Sequence, residues 1–413
     1  MNPSRLTCRV SRHEVSKRCA LRGCRCGASP ANRSATDFVH RPVNALISFP
    51  PQPLFGQLVQ MGPAIKRPVP TEEVASYESC TGPVRLLSVV ASSLPLHTGH
   101  MTGDAGTTTF ITGAAGFIGT ELVKILKARG HQVLGLAQCA EAAQRVRRAG
   151  AVPVMGDLLE PGQWQDEAAA DWVFHLPPHP MRGLRVTRRR AESMARARVL
   201  MDAHLLDAVA AGATRRIVYV ADTSCYGATG PRPITEDEPP RPSAWGRYLT
   251  PALDRVDGYL VAGLPVITAF PGLAYGNGSW FRERVIEPVM AGRRVLQLGK
   301  TGPWVSPIHV QDCARALVHL AEHGEAGGRY FLVNSDPIRM HEFARAFSRL
   351  ADRPLRAWVV PAAATRLVVG PVLAEDLQAD AVFSNIRLRG IGFRFRYPTL
   401  DHGLRQVLGA LHE

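Results

Sequence analysis

The stretch Thr112-Gly113-Ala114-Ala115-Gly116-Phe117-Ile118-Gly119 follows the apolar run Thr109-Phe110-Ile111 and opens an amphipathic segment that ends near Arg129. A strand, a glycine-spaced turn and a helix in direct succession restrict the chain to a few nucleotide-binding folds. Gly113 permits a tight turn, Gly116 lets the backbone approach a pyrophosphate, and Gly119 allows close strand–helix packing, which sets phosphate at the positive end of a helix dipole. Because glycine-rich turns also occur in loops that bind nothing, the flanks carry the decision. Ile118, Leu122, Ile125 and Leu126 fall at helical spacing, 131–136 reads as a second strand, and 151–155 as a third that ends at Gly156-Asp157-Leu158.

Strand and helix patterns keep alternating to about residue 270, with strands at 172–176, 216–220 and 265–270 and a long helix over 191–210. This predicts an α/β fold: a Rossmann-type doubly wound parallel sheet, with a smaller C-terminal lobe that binds substrate. Beyond Pro271-Gly272 the pattern is irregular, with helices near 283–290 and 341–350 and strands near 295–298 and 330–333. The expected division is 1–100 as a disordered or mis-started leader, 101–275 as the dinucleotide-binding domain, and 276–413 as mainly the substrate lobe.

Residues 1–100 hold five of the eight cysteines, eleven of the 32 prolines and no sustained periodicity. Met101 reaches the first core strand within a few residues, as the native start of such a domain would. Cys19, Cys24 and Cys26 do not complete a familiar metal pattern with His13. Cys139, Cys225 and Cys313 are widely spaced, which fits a reducing, cytoplasmic setting. The net charge of +14 comes from 44 arginines and only five lysines spread along the chain, with no nucleic-acid motif, so nucleic acid is not the expected partner. No apolar run is long enough to span a membrane. A small-molecule substrate is expected, and a homodimer is the candidate assembly.

By its motifs the chain resembles the extended short-chain dehydrogenase/reductases, the NAD-dependent epimerase/dehydratases, over residues 108–413. The motifs run in order: the glycine turn; Gly156-Asp157-Leu158; Val173-Phe174-His175-Leu176; Tyr226-Gly227; Pro271-Gly272 with Tyr275-Gly276; and Val305-Ser306-Pro307-Ile308-His309-Val310 followed by Asp312. The resemblance implies NAD or NADP as cofactor. It places Gly113, Gly116, Phe117 and Ile118 at the pyrophosphate, Asp157 and Leu158 at the adenine, and Leu176 along the cleft. Ala115, Gly119 and Pro271 complete that set. At the end of the second strand stand the neutral Ala137-Gln138, so neither an acidic residue for NAD nor an arginine for NADP is supplied there; Arg145, Arg147 and Arg148 follow a few residues on.

The resemblance implies a Ser or Thr, a Tyr, and a Lys four residues after the Tyr, the Lys lowering the phenol pKa for proton exchange with substrate. Here the Ser/Thr position falls on Asp222, beside Thr223 and Ser224; the Tyr position falls on Trp245 and the Lys position on Leu249. No shifted alignment restores the pair, since no lysine lies between Lys127 and Lys300. Tyr248, three residues after Trp245 on a helix and so on nearly the same face, is either the best substitute proton donor, with Thr223 or Ser224 hydrogen-bonding the substrate oxygen, or an ordinary half-buried tyrosine; Asp222 is an acid or base if buried, or else a turn residue. The arginines of 181–198 border the expected pocket, as an anion site or a solvated helix face; Trp245, Phe270, Leu273, Trp280 and Phe281 suit a bulky apolar substrate or the core. The expectation is an NAD(P)-dependent oxidoreductase acting on a carbonyl/alcohol pair of a largely apolar molecule, with secondary metabolism as its setting. The alternatives are a nucleotide-sugar epimerase/dehydratase and an inactive NAD(P)-binding sensor or assembly subunit.

Overall fold

The computed structural model describes residues 106–177 and 185–411. The expectations placed on 1–100, including Cys19, Cys24 and Cys26, and on Arg182 lie outside the described residues.

Seven parallel strands form the central sheet: β1 (Thr108–Thr112), β2 (Gln132–Ala137), β3 (Val152–Met155), β4 (Trp172–His175), β5 (Arg216–Val220), β6 (Val266–Pro271) and β7 (Arg329–Leu332). Their order is β3-β2-β1-β4-β5-β6-β7, so the direction of winding reverses between β1 and β4. The strands are short apolar and β-branched runs because both faces are covered. Period-two alternation sends Phe110, Val173, Ile217 and Tyr219 into one core, and Ile111, Phe174 and Val218 into the other.

Helices α1 (Phe117–Ala128) and α2 (Ala140–Ala149) lie on the Ile111 side, the short α3 (Trp164–Ala168) and the long α4 (Arg188–Ala210) and α5 (Gly246–Val261) on the other; α6 (Val310–His323) packs beside α1. This is the doubly wound layer arrangement that the sequence predicts. The boundary expected at residue 275 is not a clean one: α6 and β7 return to the large sheet after a detour through 276–309. α6 was not anticipated from the sequence. The helix expected over 283–290 is instead broken into Ser279–Phe281, a wide turn at Arg282–Ile286, and Glu287–Met290. Pro288, with no backbone N–H to donate, accounts for the interruption.

From Tyr275 onward the chain has its own aromatic core, in which Tyr275, Phe281, Phe343 and Phe347 meet edge to face over Leu400 and Leu404. Two buried carboxylates fasten the ends of this architecture. Asp312 in α6 accepts the backbone N–H groups of Arg396 (2.9 Å) and Tyr397 (2.7 Å). Glu236 accepts the N–H of Phe331 on the edge strand β7 (2.6 Å), a donor that no further strand among the described residues satisfies.

Candidate cofactor and active site

β1 ends at Thr112 and the chain turns at Gly113 with φ +71°. A side-chain Cβ there would lie 2.2 Å from the Leu176 carbonyl oxygen, so β4 is held against the turn at a distance only glycine allows. A Cβ on Gly119 would lie 2.2 Å from the Gly113 oxygen, which explains the last glycine as a packing requirement. Gly116 caps α1 with no side-chain acceptor, and the first turn holds no acidic residue. The N–H groups at that end are therefore not neutralised by a side chain, and the site fits an anionic diphosphate. Phe117 lies against Gly276 and Gly278, tying the turn to the Tyr275-Gly276 segment.

A buried relay stands directly behind the turn, and its proton directions follow from chemistry. Leu176 N–H donates to Thr112 Oγ1 (3.1 Å), Thr112 pairs with His175 Nδ1 (2.7 Å), and His175 Nε2 meets Asp202 Oδ1 (2.7 Å). Tyr219 donates to Asp202 Oδ2 (2.7 Å), while Arg198 Nε reaches both carboxylate oxygens at 2.8 and 3.0 Å. Burial lowers the His175 pKa, so its imidazole is neutral, donating to the carboxylate and accepting from Thr112. Burial works against ionisation of Asp202, but the Arg198 guanidinium outweighs it and holds the carboxyl below the ordinary range. Sequence reasoning grouped Arg198 with arginines bordering the pocket. The structure corrects this: Arg198 is in the core, four residues before its partner on α4, whereas Arg188, Arg189 and Arg196 are exposed.

At the ends of β2 and β3, Gln138 donates to Asp157 Oδ2 (2.6 Å), while Asp157 Oδ1 accepts from Leu159 N. The residues implied for ribose and adenine are thus joined to one another. Arg145, Arg147 and Arg148 are exposed on α2. Leu158 and Leu176 are buried, and Ala115, Ile118 and Pro271 partly so.

The segments expected to carry catalysis do come together. Thr223–Tyr226 forms a 3-10 turn after β5, and α5 starts against it so closely that a Cβ on Gly246 would lie 1.9 Å from the Ser224 oxygen. Ala244, at φ +43°, sets the approach to α5, and Glu375 pins it by accepting from its N–H (3.0 Å) and from Arg247 (2.9 Å). Trp245 and Leu249 are buried, and Tyr248, half-buried, stacks on Trp245 with centroids 6.1 Å apart. Asp222 Oδ1 accepts from Ser224 N (2.8 Å), the bond of a turn residue. Ser224 is buried and Thr223 partly exposed. Phe270 and Phe281 belong to the core, and Trp280 donates to the Ala274 carbonyl. An open groove of about 470 Å³ between α4 and α5, lined by Arg196, Val199, Leu200, Pro251 and Arg255, contains Arg196 of the arginine segment but none of the residues expected to carry catalysis or bind the cofactor.

A seven-stranded parallel sheet with a glycine turn built for a diphosphate at its first strand defines a dinucleotide-binding α/β protein. The family model for the NAD dependent epimerase/dehydratase family matches residues 109–334, and the chain belongs to that family. It is 30% identical over 252 residues, 57% of this chain and 70% of the relative, to a 4-hydroxy-2-methyl-3-oxo-4-farnesyl-3,4-dihydroquinoline-1-oxide ketoreductase of Stigmatella aurantiaca. It is 27% identical over 310 residues, 71% of this chain and 98% of the relative, to a 3-diazoavenalumate denitrifying reductase of a Streptomyces species. Among solved structures it is similar to the human epimerase family protein SDR39U1 with NADPH (TM-score 0.61, 20% identity, 73% of this chain and 99% of that one). No described helix is long and apolar enough to cross a membrane.

Proposed function

We propose that the protein is an NAD(P)-dependent oxidoreductase that interconverts a carbonyl and an alcohol on a largely apolar small molecule of secondary metabolism, using a proton donor other than a Tyr–Lys pair. The observation that carries this reading is the pairing of a turn that fits a diphosphate with a tyrosine position filled by the buried Trp245 and a lysine position filled by the buried Leu249. The two reductase-named relatives support the same direction.

In this reading the diphosphate rests on Gly113, Ala115, Gly116, Phe117, Ile118 and Gly119, the adenine lies by Asp157 and Leu158, and the nicotinamide half runs past Leu176 and Pro271. When bound, the cofactor supplies or accepts the hydride. The chain's share is to hold the substrate carbon in place and to move one proton at its oxygen. Tyr248 is the donor, and the Thr223 and Ser224 hydroxyls hydrogen-bond the substrate oxygen; Asp222 keeps their turn in shape. The parts of 276–413 outside α6 and β7 cover the substrate. Epimerisation of a nucleotide sugar needs reversible proton exchange with a sugar hydroxyl and suffers more from loss of both Tyr and Lys, which ranks it second.

The test is a titration of the full chain with NADH and NADPH by nicotinamide fluorescence, followed by turnover of the tighter binder on apolar ketones. Tyr248→Phe is expected to lower turnover by about 10²–10⁴-fold with cofactor binding unchanged. Unchanged turnover removes Tyr248 from the mechanism. Binding without turnover on any ketone or nucleotide sugar favours a sensor or assembly subunit, and failure to bind either cofactor overturns the reading of the turn.

A further inference from the structure

The C-terminal turn of α6 carries His319, Glu322 and His323, spaced i, i+3 and i+4, so that all three project from one face. One ligand atom from each lies within 4.8 Å of the others. The imidazole rings are stacked, with centroids 4.2 Å apart and planes 23° from parallel. None of these residues belongs to the cofactor or substrate sites described above.

Two contacts indicate more than a chance grouping. His319 Nε2 lies 2.9 Å from the Ile391 carbonyl. A carbonyl only accepts, so the ring proton is on Nε2 and the lone pair on Nδ1, and the ring is braced by Phe393 at 5.5 Å. A histidine whose second nitrogen donates to a backbone carbonyl has its tautomer and orientation fixed as metal ligands have. Glu322 divides its oxygens: Oε1 pairs with Arg129 at the end of α1, while Oε2 lies on the His323 side, 3.9 Å from Nδ1. His323 is exposed at the helix end, where its hydrogen-bond contact to the His319 carbonyl is long at 3.3 Å, so its ring is able to rotate towards an ion.

We propose that His319, Glu322 and His323 form a surface site for a zinc-class divalent cation. Two imidazoles and one carboxylate suit zinc, with the fourth position left to water. The present spread of ligand atoms is wider than a zinc ion at about 2.0–2.1 Å from each nitrogen allows. Closure requires only rotation of His323 and Glu322, because His319 is already braced. Binding draws Glu322 away from Arg129, and so connects the ion to the end of the helix whose other end forms the glycine turn.

The test uses the full, tag-free chain with accessible thiols alkylated, titrated with Zn²⁺ in competition with a chromophoric chelator. The parent is expected to bind one equivalent that His323→Ala weakens by about tenfold or more, at least what loss of an outer partner costs. Saturating Zn²⁺ is expected to raise the Tm of the parent and not of this variant. His323 is exposed, so its replacement leaves the fold intact, and the double variant Glu322→Gln/His323→Ala serves as the second probe. Identical isotherms for the parent and both variants overturn the proposal.

Discussion

Replacing Gly113 by Ala isolates what the glycine turn contributes, because the structure predicts two separate costs at that position. The first is the left-handed backbone at φ +71°, about 1–2 kcal/mol for a residue with a Cβ. The second is the new Cβ 2.2 Å from the Leu176 oxygen, which must push the end of β4 away; overpacking of this kind typically costs about 1–3 kcal/mol. Together they come to about 2–5 kcal/mol, or a fall in Tm of roughly 10 °C at about 2–4 °C per kcal/mol. A matched control separates the two. Gly150 also has a positive φ, +101°, but its Cβ would meet only Lys127 Cγ at 3.5 Å, so Gly150→Ala should show the backbone cost alone. Thermal unfolding followed by circular dichroism reads stability, and nicotinamide fluorescence reads cofactor affinity, which should fall at least tenfold for Gly113→Ala only. If Gly113→Ala unfolds no earlier than Gly150→Ala and binds NADPH as the parent does, the packing argument fails.

Burial pushes the His309 pKa down to about 4, so the folded state resists a proton that the unfolded chain accepts near 6.5. Stability should therefore be full above pH 6.5 and fall by roughly 3 kcal/mol as pH drops to about 4; His309→Asn, which keeps an acceptor for the Gln311 N–H, should flatten that slope in urea titrations. Asp202→Ala leaves the buried Arg198 without its counter-charge and should cost about 3–5 kcal/mol, a result that an unchanged urea midpoint would exclude. Asp312→Ala removes the acceptor for two backbone N–H groups and should cost about 2–4 kcal/mol, with limited proteolysis now cutting near residues 394–397 at native temperature.

The sheet up to β6 was legible because its strands are apolar runs separated by helical periodicity and punctuated by the glycines of the first turn. Beyond it the strands near 295–298 and 330–333 and the helix near 341–350 were also legible, but α6 was not, and since the chain there alternates between its own aromatic core and the large sheet, nothing local in 310–323 or 329–332 says which of the two it joins. The glycine turn was readable from spacing, and its close contact with the Leu176 carbonyl supplies the reason. The relay behind it was not, because Thr112, His175, Asp202 and Tyr219 come from four separate elements; only Arg198 and Asp202, at i and i+4, left a local trace. The displacement of the usual catalytic pair was visible in residue identity alone, while the stacking of Tyr248 on Trp245 required coordinates.

The edge position of β7 bears on how the chain is made. β6 and its partner β7 are separated by some 60 residues, so on a ribosome adding about 5–20 residues per second the strand Val266–Pro271 waits roughly 3–12 s for its neighbour. Through that interval a nearly wholly apolar strand has one row of amide and carbonyl groups unmatched, and the nascent chain is open to pairing with another like it. Pairing with β7 closes that row, and Glu236, synthesised earlier, then covers one donor of the new edge once Phe331 has arrived. Slowing elongation between residues 272 and 328 would lengthen this exposure, so the yield of soluble protein should depend on codon choice in that stretch more than in any other.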